Sequence, residues 1–322
     1  MSIMSKRAHV QTSNTNPKRH RRNTIFSTFR NDYQLWLMIL PAIICVGIFN
    51  YIPIYGVQLA FREYDFTAGL TGGEWVGLKY FKQFIDSHMF FDLLRNTLVI
   101  SLTTIIVAFP APIILALLIH QINWRKGKKV LQTTVYAPHF ISIVVLVGLL
   151  NVLLSPNTGI VGLIIKGLGF EGSNLLGSTK AFVPVYVLSD VWQHVGWNSI
   201  IYLAALSTVD TELYDSAKID GASKWQIIKN IELPAIAPTI IILLILNMGT
   251  IISTGFEKIF LMQNSLNLPV SEVIETYVYK MGIQSNQFSY AAAIGLFNTL
   301  INFTLLFIMN YIARRFSEIS LW

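Results

Sequence analysis

Charged side chains are scarce in this chain. Only 13% of its 322 residues are Asp, Glu, Lys or Arg, while 53% are hydrophobic. An ordinary soluble domain carries about 25% charged residues. So low a value excludes a body solvated mainly by water and points to lipid. Cysteine is nearly absent. Cys45 is the only one, which excludes an internal disulfide, and inside an apolar run it reads as a small buried side chain. No Cys/His cluster has zinc-ligand spacing, so no metal site is expected. The first thirty-odd residues contain no apolar stretch, which excludes a cleaved signal peptide. A G-x-x-x-x-G-K-[ST] segment is also missing, because Gly127-Lys128-Lys129 lacks both the preceding glycine and the Ser/Thr. Nucleotide hydrolysis by this chain and a resident cofactor are therefore not expected.

What the sequence has in abundance is long apolar runs. A membrane-spanning helix needs about 20 mainly apolar residues. Six stretches qualify: Leu35–Tyr55, Leu94–Leu118, Val130–Leu154, Phe182–Leu206, Ala235–Ser253 and Ala291–Ile312. Pro41, Pro110, Pro112 and Pro184 fall inside them, as spans permit when neighbouring helices re-satisfy the freed backbone groups. The expected fold is all-α, a polytopic membrane protein with six transmembrane helices. Residues 1–33 form a basic tail with Lys6, Arg7, Lys18, Arg19, Arg21, Arg22 and Arg30, read as disordered, and residues 34–322 form the membrane domain. A basic tail can indicate nucleic acid, but one placed directly before a span reads as an orientation signal. The tail, the loop with Arg125, Lys126, Lys128 and Lys129, the fourth loop, and Arg314 with Arg315 hold sixteen of the 24 Lys and Arg residues. By the positive-inside rule both termini are cytoplasmic. Trp36, Trp75, Trp124 and Trp322 stand near span ends, as interfacial aromatics do.

Polar side chains inside spans are costly and are functional candidates. The fourth span carries Asp190, His194 and Trp197, spaced four and three residues apart and so on one helix face, with Trp192, Gln193 and Asn198 beside them. Two readings stand side by side. The stripe lines a watery cavity in which Trp192 or Trp197 stacks on a polar cargo, or it makes hydrogen bonds to neighbouring helices or a partner subunit. Asn151, Asn247, Asn298 and Asn302 are polar points in other spans; Asn247, Asn298 and Asn302 are candidates for the substrate path, although single Asn residues read more simply as packing contacts, and Glu257, just after the fifth span, either lines the outer mouth of the path or is an ordinary solvated residue. Ser189 and Ser199 point away from the Asp190–His194 face by helical phase, so no nucleophile completes a catalytic set.

The fourth loop, residues 207–234, differs from the others. It reads STVDTELYDSAKIDGASKWQIIKNIELP. A first short helix is expected over Thr211–Ile219, with Asp210 or Thr211 as N-cap and Glu212 in the first turn. Gly221, between Asp220 and Ala222, can take positive φ and end it. A second helix starts at Ser223, where Gln226 three residues on completes a capping box, and carries Trp225, Ile228 and Ile231 at helical spacing. Leu233 and Pro234 lead into the next span. From the pattern alone, this helix–turn–helix is equally well an amphipathic connector resting on lipid headgroups.

The loop resembles the EAA loop of binding-protein-dependent ABC importer permeases, whose pattern is Glu-Ala-Ala, three residues, Gly, nine residues, Ile, one residue, Leu-Pro. Asp215, Ser216 and Ala217 occupy the triplet, and Gly221, Ile231, Leu233 and Pro234 fall at the expected spacings. Asp for Glu keeps the acid, and Ser for Ala keeps the small size. Two further segments, LPAIICVGIFNYIPIYGVQLAFREYDF with WVGLKYFKQF, and GFEKIFLMQN with FSYAAAIGLFNTLINF, are similar to the carbohydrate-uptake branch, the polysaccharide and lipoprotein-type permeases. The resemblance implies a permease subunit in a bacterial plasma membrane that forms the path for a sugar or oligosaccharide. It implies two ATP-binding partner subunits that hold ATP and Mg, a second homologous permease and an extracytoplasmic solute-binding protein. It also implies that the 207–234 loop is a cytoplasmic knob seated in the ATPase. A secondary transporter, or a membrane enzyme acting on a glycan or lipid, is the alternative. The transporter reading leaves the loop unexplained, and the enzyme would need an acid/base or metal constellation that is not found.

Overall fold

The computed structural model describes residues 33–67, 69, 72–167, 174–249 and 255–316. The basic tail, the end of the fifth expected span at Ser253, and Trp322 lie outside the described residues. Two compact units divide the chain, one ending at Tyr55 and the other beginning at Gly56. In the first, α1 (Tyr33–Val46) continues through a π turn, Gly47–Tyr51. No residue of α1 is buried, and Cys45 is exposed rather than buried as its apolar setting suggested. In a lipid-facing helix an apolar neighbourhood in sequence does not imply protein around the side chain.

The second unit is helical, with two isolated β-bridges, Arg62–Trp75 and Asp65–Gly69, among the described residues. Its helices are α2 (Lys79–Ile85), α3 (Phe90–Ala108), α4 (Pro110–His120), α5 (Arg125–Tyr136), α6 (Ile143–Leu153), α7 (Ile160–Gly167) and α8 (Phe182–Ser207). They continue with α9 (Thr211–Ile219), α10 (Lys224–Ile227), α11 (Leu233–Met248), α12 (Phe256–Met262), α13 (Leu268–Ser271), α14 (Ile274–Tyr279) and α15 (Phe288–Phe316). Among the described residues four helical runs are long and apolar enough to cross a membrane: Tyr33–Phe61, Phe90–His120, Lys224–Met248 and Phe288–Ile312. A fifth results if Arg125–Phe140 and Ile143–Leu153, which meet at 99°, form one span. The sequence suggested one continuous helix there. Instead Pro138, with no N–H to donate, opens a 3-10 turn, and Ser142 takes an extended conformation and accepts a hydrogen bond from Val145 N at 3.3 Å, starting a new helix. At 26 residues α8 is long enough to span, but Asp190, Gln193, His194 and Asn198 along its middle keep it out of the apolar set.

α8 is the hub of this unit, packed on α3, α4, α5 and α11. Two apolar cores mark its ends. Phe182, Tyr186 and Val187 join Ile100, Val147, Ile259 and Met262 at the first, and Tyr202 and Leu206 join Ile113, Leu117 and Ile236 at the second. At 1.5 Å per residue these lie about 30 Å apart, the thickness of a hydrocarbon core. The segment between α11 and α15 is tied down by buried amides. Asn267 Nδ2 donates to Leu176 O (2.7 Å) and Met262 O (2.9 Å), and Asn96 Nδ2 to Pro269 O (2.9 Å) and Glu272 O (3.0 Å).

Candidate functional site

The polar stripe of α8 is where three parts of the chain meet. His194 Nδ1 lies 3.3 Å from Asp190 Oδ1, as i,i+4 spacing allows. The same oxygen takes the Lys258 ammonium at 3.5 Å. Lys258 comes from α12, is only 3% exposed, donates to Tyr186 O at 3.1 Å and stands 4.6 Å from the centre of the Tyr186 ring. A buried ammonium needs such partners, and here two are supplied by one face of α8. The 3-10 turn contributes His139, whose ring stacks on Trp197 at 4.5 Å and nearly parallel, and Phe140, edge-on to the same indole at 5.7 Å. Gly196 makes this approach possible, because a Cβ there would sit 2.0 Å from Val135 O.

Beside this network opens a cavity of 660 Å³, lined by Asp190, Trp197 and Asn198 of α8, Asn247 of α11, and Thr104 and Pro112 of α3 and α4. Four of the residues singled out from the sequence thus line one cavity. The others are elsewhere. Trp192 faces an apolar groove with Leu146, Leu150 and Val185. Gln193 is buried and donates to Ile141 O at 2.8 Å, fixing the break between α5 and α6. Asn298 lines a separate cavity with Phe256, Glu275 and Tyr279. Glu257 is exposed and Asn302 half-buried. Asn151 bonds within its own helix, to Val147 O. Ser189 and Ser199 are buried and bonded to their own helix carbonyls. Lys258 and His139 were missed. Their contacts are long-range, and in sequence they read as an ordinary loop lysine and a histidine after proline.

The 207–234 loop folds as its caps dictate. Asp210 accepts from Glu212 N at 3.0 Å at the start of α9. At its end Ala222 N reaches Ala217 O (2.9 Å) and Gly221 N reaches Lys218 O (3.1 Å), a Schellman turn with Gly221 at φ 75°. Ser223 and Gln226 form the capping box of α10. Asp215 pairs with Lys218 at 3.1 Å on the surface, and Ser216 beside it is exposed. Trp225 is 69% and Ile219 87% exposed, whereas Ile228 and Leu233 pack on the core around Ile113 and Tyr202 and Ile231 is half-buried. The apolar ridge expected of α10 is therefore divided: Trp225 faces out, and the residues after it anchor the loop to its own chain. Ile219 and Leu213 add outward apolar surface that the second helix's periodicity did not reveal. Burial first, and then the nearby Glu232 carboxylate, hold the Tyr214 hydroxyl above its ordinary titration range.

A helical membrane chain that combines a rigid capped loop with a polar cavity against its central helix has the parts of a transport subunit. Residues 99–318 match the model of the family described as binding-protein-dependent transport system inner membrane component, and the chain belongs to that family. It is 40% identical over 296 residues to Protein LplB of Bacillus subtilis (strain 168), covering 92% of this chain and 93% of the relative. It is 40% identical over 301 residues to the polygalacturonan/rhamnogalacturonan transport system permease protein YteP of the same organism, with 94% of each covered. A chain in the crystal structure of a bacterial alginate ABC transporter, in complex with an alginate pentasaccharide-bound periplasmic protein, superposes with TM-score 0.84 at 36% identity, covering 92% of this chain and 99% of that one. These likenesses bear out the resemblance to carbohydrate-uptake permeases read from the sequence. The chain is a membrane-embedded permease subunit of an ABC importer, a transport subunit rather than an enzyme.

Proposed function

We propose that this permease carries oligosaccharides of an acidic polysaccharide, passed to it by an extracytoplasmic binding protein. The observation that carries the reading is the 660 Å³ cavity in which Trp197, Asn198 and Asn247 offer an aromatic face and amides while Asp190, on the same wall, is paired with Lys258. A sugar ring is apolar on its faces and hydroxylated at its edge, so an indole with neighbouring amides suits it. Pairing with the ammonium offsets the Asp190 charge, so an approaching uronate does not meet an uncompensated negative wall. The names of two relatives, one for polygalacturonan/rhamnogalacturonan and one for alginate, favour acidic sugars over neutral ones.

In the same reading the membrane domain of residues 34–322 has six spans, α8 being the fourth, and follows a basic tail over 1–33. Both termini and the 207–234 loop are cytoplasmic, in a bacterial plasma membrane. A second homologous permease completes the path, and two ATP-binding subunits hold ATP and Mg. The loop seats in one of these subunits through Trp225 and Ile219, supported by the Asp215-Ser216-Ala217 turn and the Asp220-Gly221-Ala222 bend. Exposed aromatic anchors on a rigid support are what such docking requires, and closing ATPases would move the loop as a body. The test is uptake by the assembled importer in proteoliposomes, with oligogalacturonides and oligoalginates set against neutral malto-oligosaccharides. Preferred uptake of the uronic oligomers is expected. Equal or faster uptake of the neutral ones overturns the assignment.

A further inference from the structure

The base of the coupling loop holds a polar cluster that the docking function does not use. Glu232, between Ile231 and Leu233, is wholly buried at 0% exposure. Its Oε1 accepts a hydrogen bond from Gln121 Nε2 at 2.7 Å and lies 3.7 Å from His120 Nε2. On the loop's other arm, Tyr214 of α9 brings its hydroxyl to 3.4 Å from the same His120 nitrogen, with the two rings 5.9 Å apart. Both arms of the loop thus converge on two consecutive residues at the end of α4. Glu232 Oε2 is buried and makes no hydrogen bond. A cavity of 360 Å³, lined by Ser207, Thr211, Tyr214 and Lys218 with His120, lies beside the cluster.

Folding alone does not call for a carboxylate here. An apolar side chain of similar length fills a buried position as well, without leaving an oxygen unsatisfied. Ile228 and Leu233 already supply apolar adhesion to the core around Ile113 and Leu117. Apolar contacts are non-directional and tolerate sliding, whereas a directional hydrogen bond of 2.7 Å to a buried acceptor fixes register. At its other end α4 begins at Pro110, directly after Phe109, where it parts from α3, and Phe109 and Pro112 form part of the wall of the 660 Å³ cavity.

We propose that Glu232, with Gln121, His120 and Tyr214, is a latch that locks the coupling loop to the end of α4, so that displacement of the loop is delivered to the wall of the translocation cavity. Glu232 is a positioning residue, and the inference rests on the loop being the ATPase-docking element. In the complete importer with Cys45→Ser, spin labels at Leu118→Cys on α4 and Lys224→Cys on α10 report the separation of the two elements, without nucleotide and with ATP and vanadate. With Glu232 intact the separation stays constant through the cycle. In Glu232→Met it changes with nucleotide, and sugar imported per ATP hydrolysed falls about five-fold, while the thermal midpoint is kept. Glu232→Gln, which retains the acceptor oxygen, behaves as wild type. Gln121→Leu breaks the same bond from the α4 side and repeats the Glu232→Met result if that variant does not assemble. A constant separation with unchanged coupling in both Glu232→Met and Gln121→Leu overturns the latch, as does a nucleotide-driven change in the intact chain. ATPase subunits missing from the unmodified complex overturn the docking reading itself, and the latch with it.

Discussion

Along α8 the polar atoms reach far: Lys258 comes to Asp190 from 68 residues away, and Gln193 finds Ile141 at a distance of 52. In the 207–234 loop they stay at home, with Asp210 bonding two residues on and Ser223 and Gln226 bonding across three. The difference follows from solvent. A polar group among apolar helices must find its partner in protein; Ser189 and Ser199 use their own helix, and the longer Gln193 and Lys258 side chains reach a neighbouring segment and stitch the unit together. A loop in water satisfies its backbone by capping, and its apolar side chains are then left facing outward at Ile219 and Trp225. One region turns much of its polar chemistry on its own fold, while the other leaves apolar side chains facing outward. Only Glu232 and Tyr214 of the loop behave like the first region.

This contrast can be broken most forcefully at Lys258. Lys258→Met leaves Asp190 without its ammonium, and breaking such a pair costs on the order of 3 kcal/mol. The thermal midpoint of the detergent-solubilised protein should fall, and adding Asp190→Asn should recover a substantial part of it. Trp225→Ala should act on partnership and leave folding alone. It should weaken retention of the ATPase subunits by about 2 kcal/mol, as loss of a docking anchor does, with the midpoint unchanged; pull-down from membranes measures the first and a melting curve the second. Gly221→Val should keep insertion but impose a strain of about 1–3 kcal/mol on a left-handed turn, lowering transport. Normal co-purification and uptake would remove the turn from the mechanism. Ser223→Ala should be the mildest, costing about 1 kcal/mol of local helix stability and visible as faster amide exchange over α10 alone.

The same division explains what could be read from the chain before its structure was known. Asp210, Gly221, Ser223 and Gln226 announce α9 and α10 because their partners are within a few residues, so the loop was legible almost to its boundaries. The stripe Asp190–His194–Trp197 was legible as one face because helical phase is local. That Lys258 neutralises Asp190, or that His139 stacks on Trp197, was not legible, because such contacts depend on how α12 and the 3-10 turn pack. The 99° corner before α6 left a signal, Pro138 and then Ser142, but the unbroken hydrophobicity around it argued for a straight helix. The burial expected of Cys45 had no comparable support, since apolar neighbours in sequence do not distinguish lipid from protein.

Lys258, at 3% exposure, also makes the protein self-reporting. An amine-reactive reagent added to the resting transporter should modify Lys79 and Lys82, which are exposed and lie outside the loop, and pass over Lys258. Any stage of the working cycle that parts α12 from α8 would uncover that amine, so peptide-level footprinting could time the opening without an engineered label.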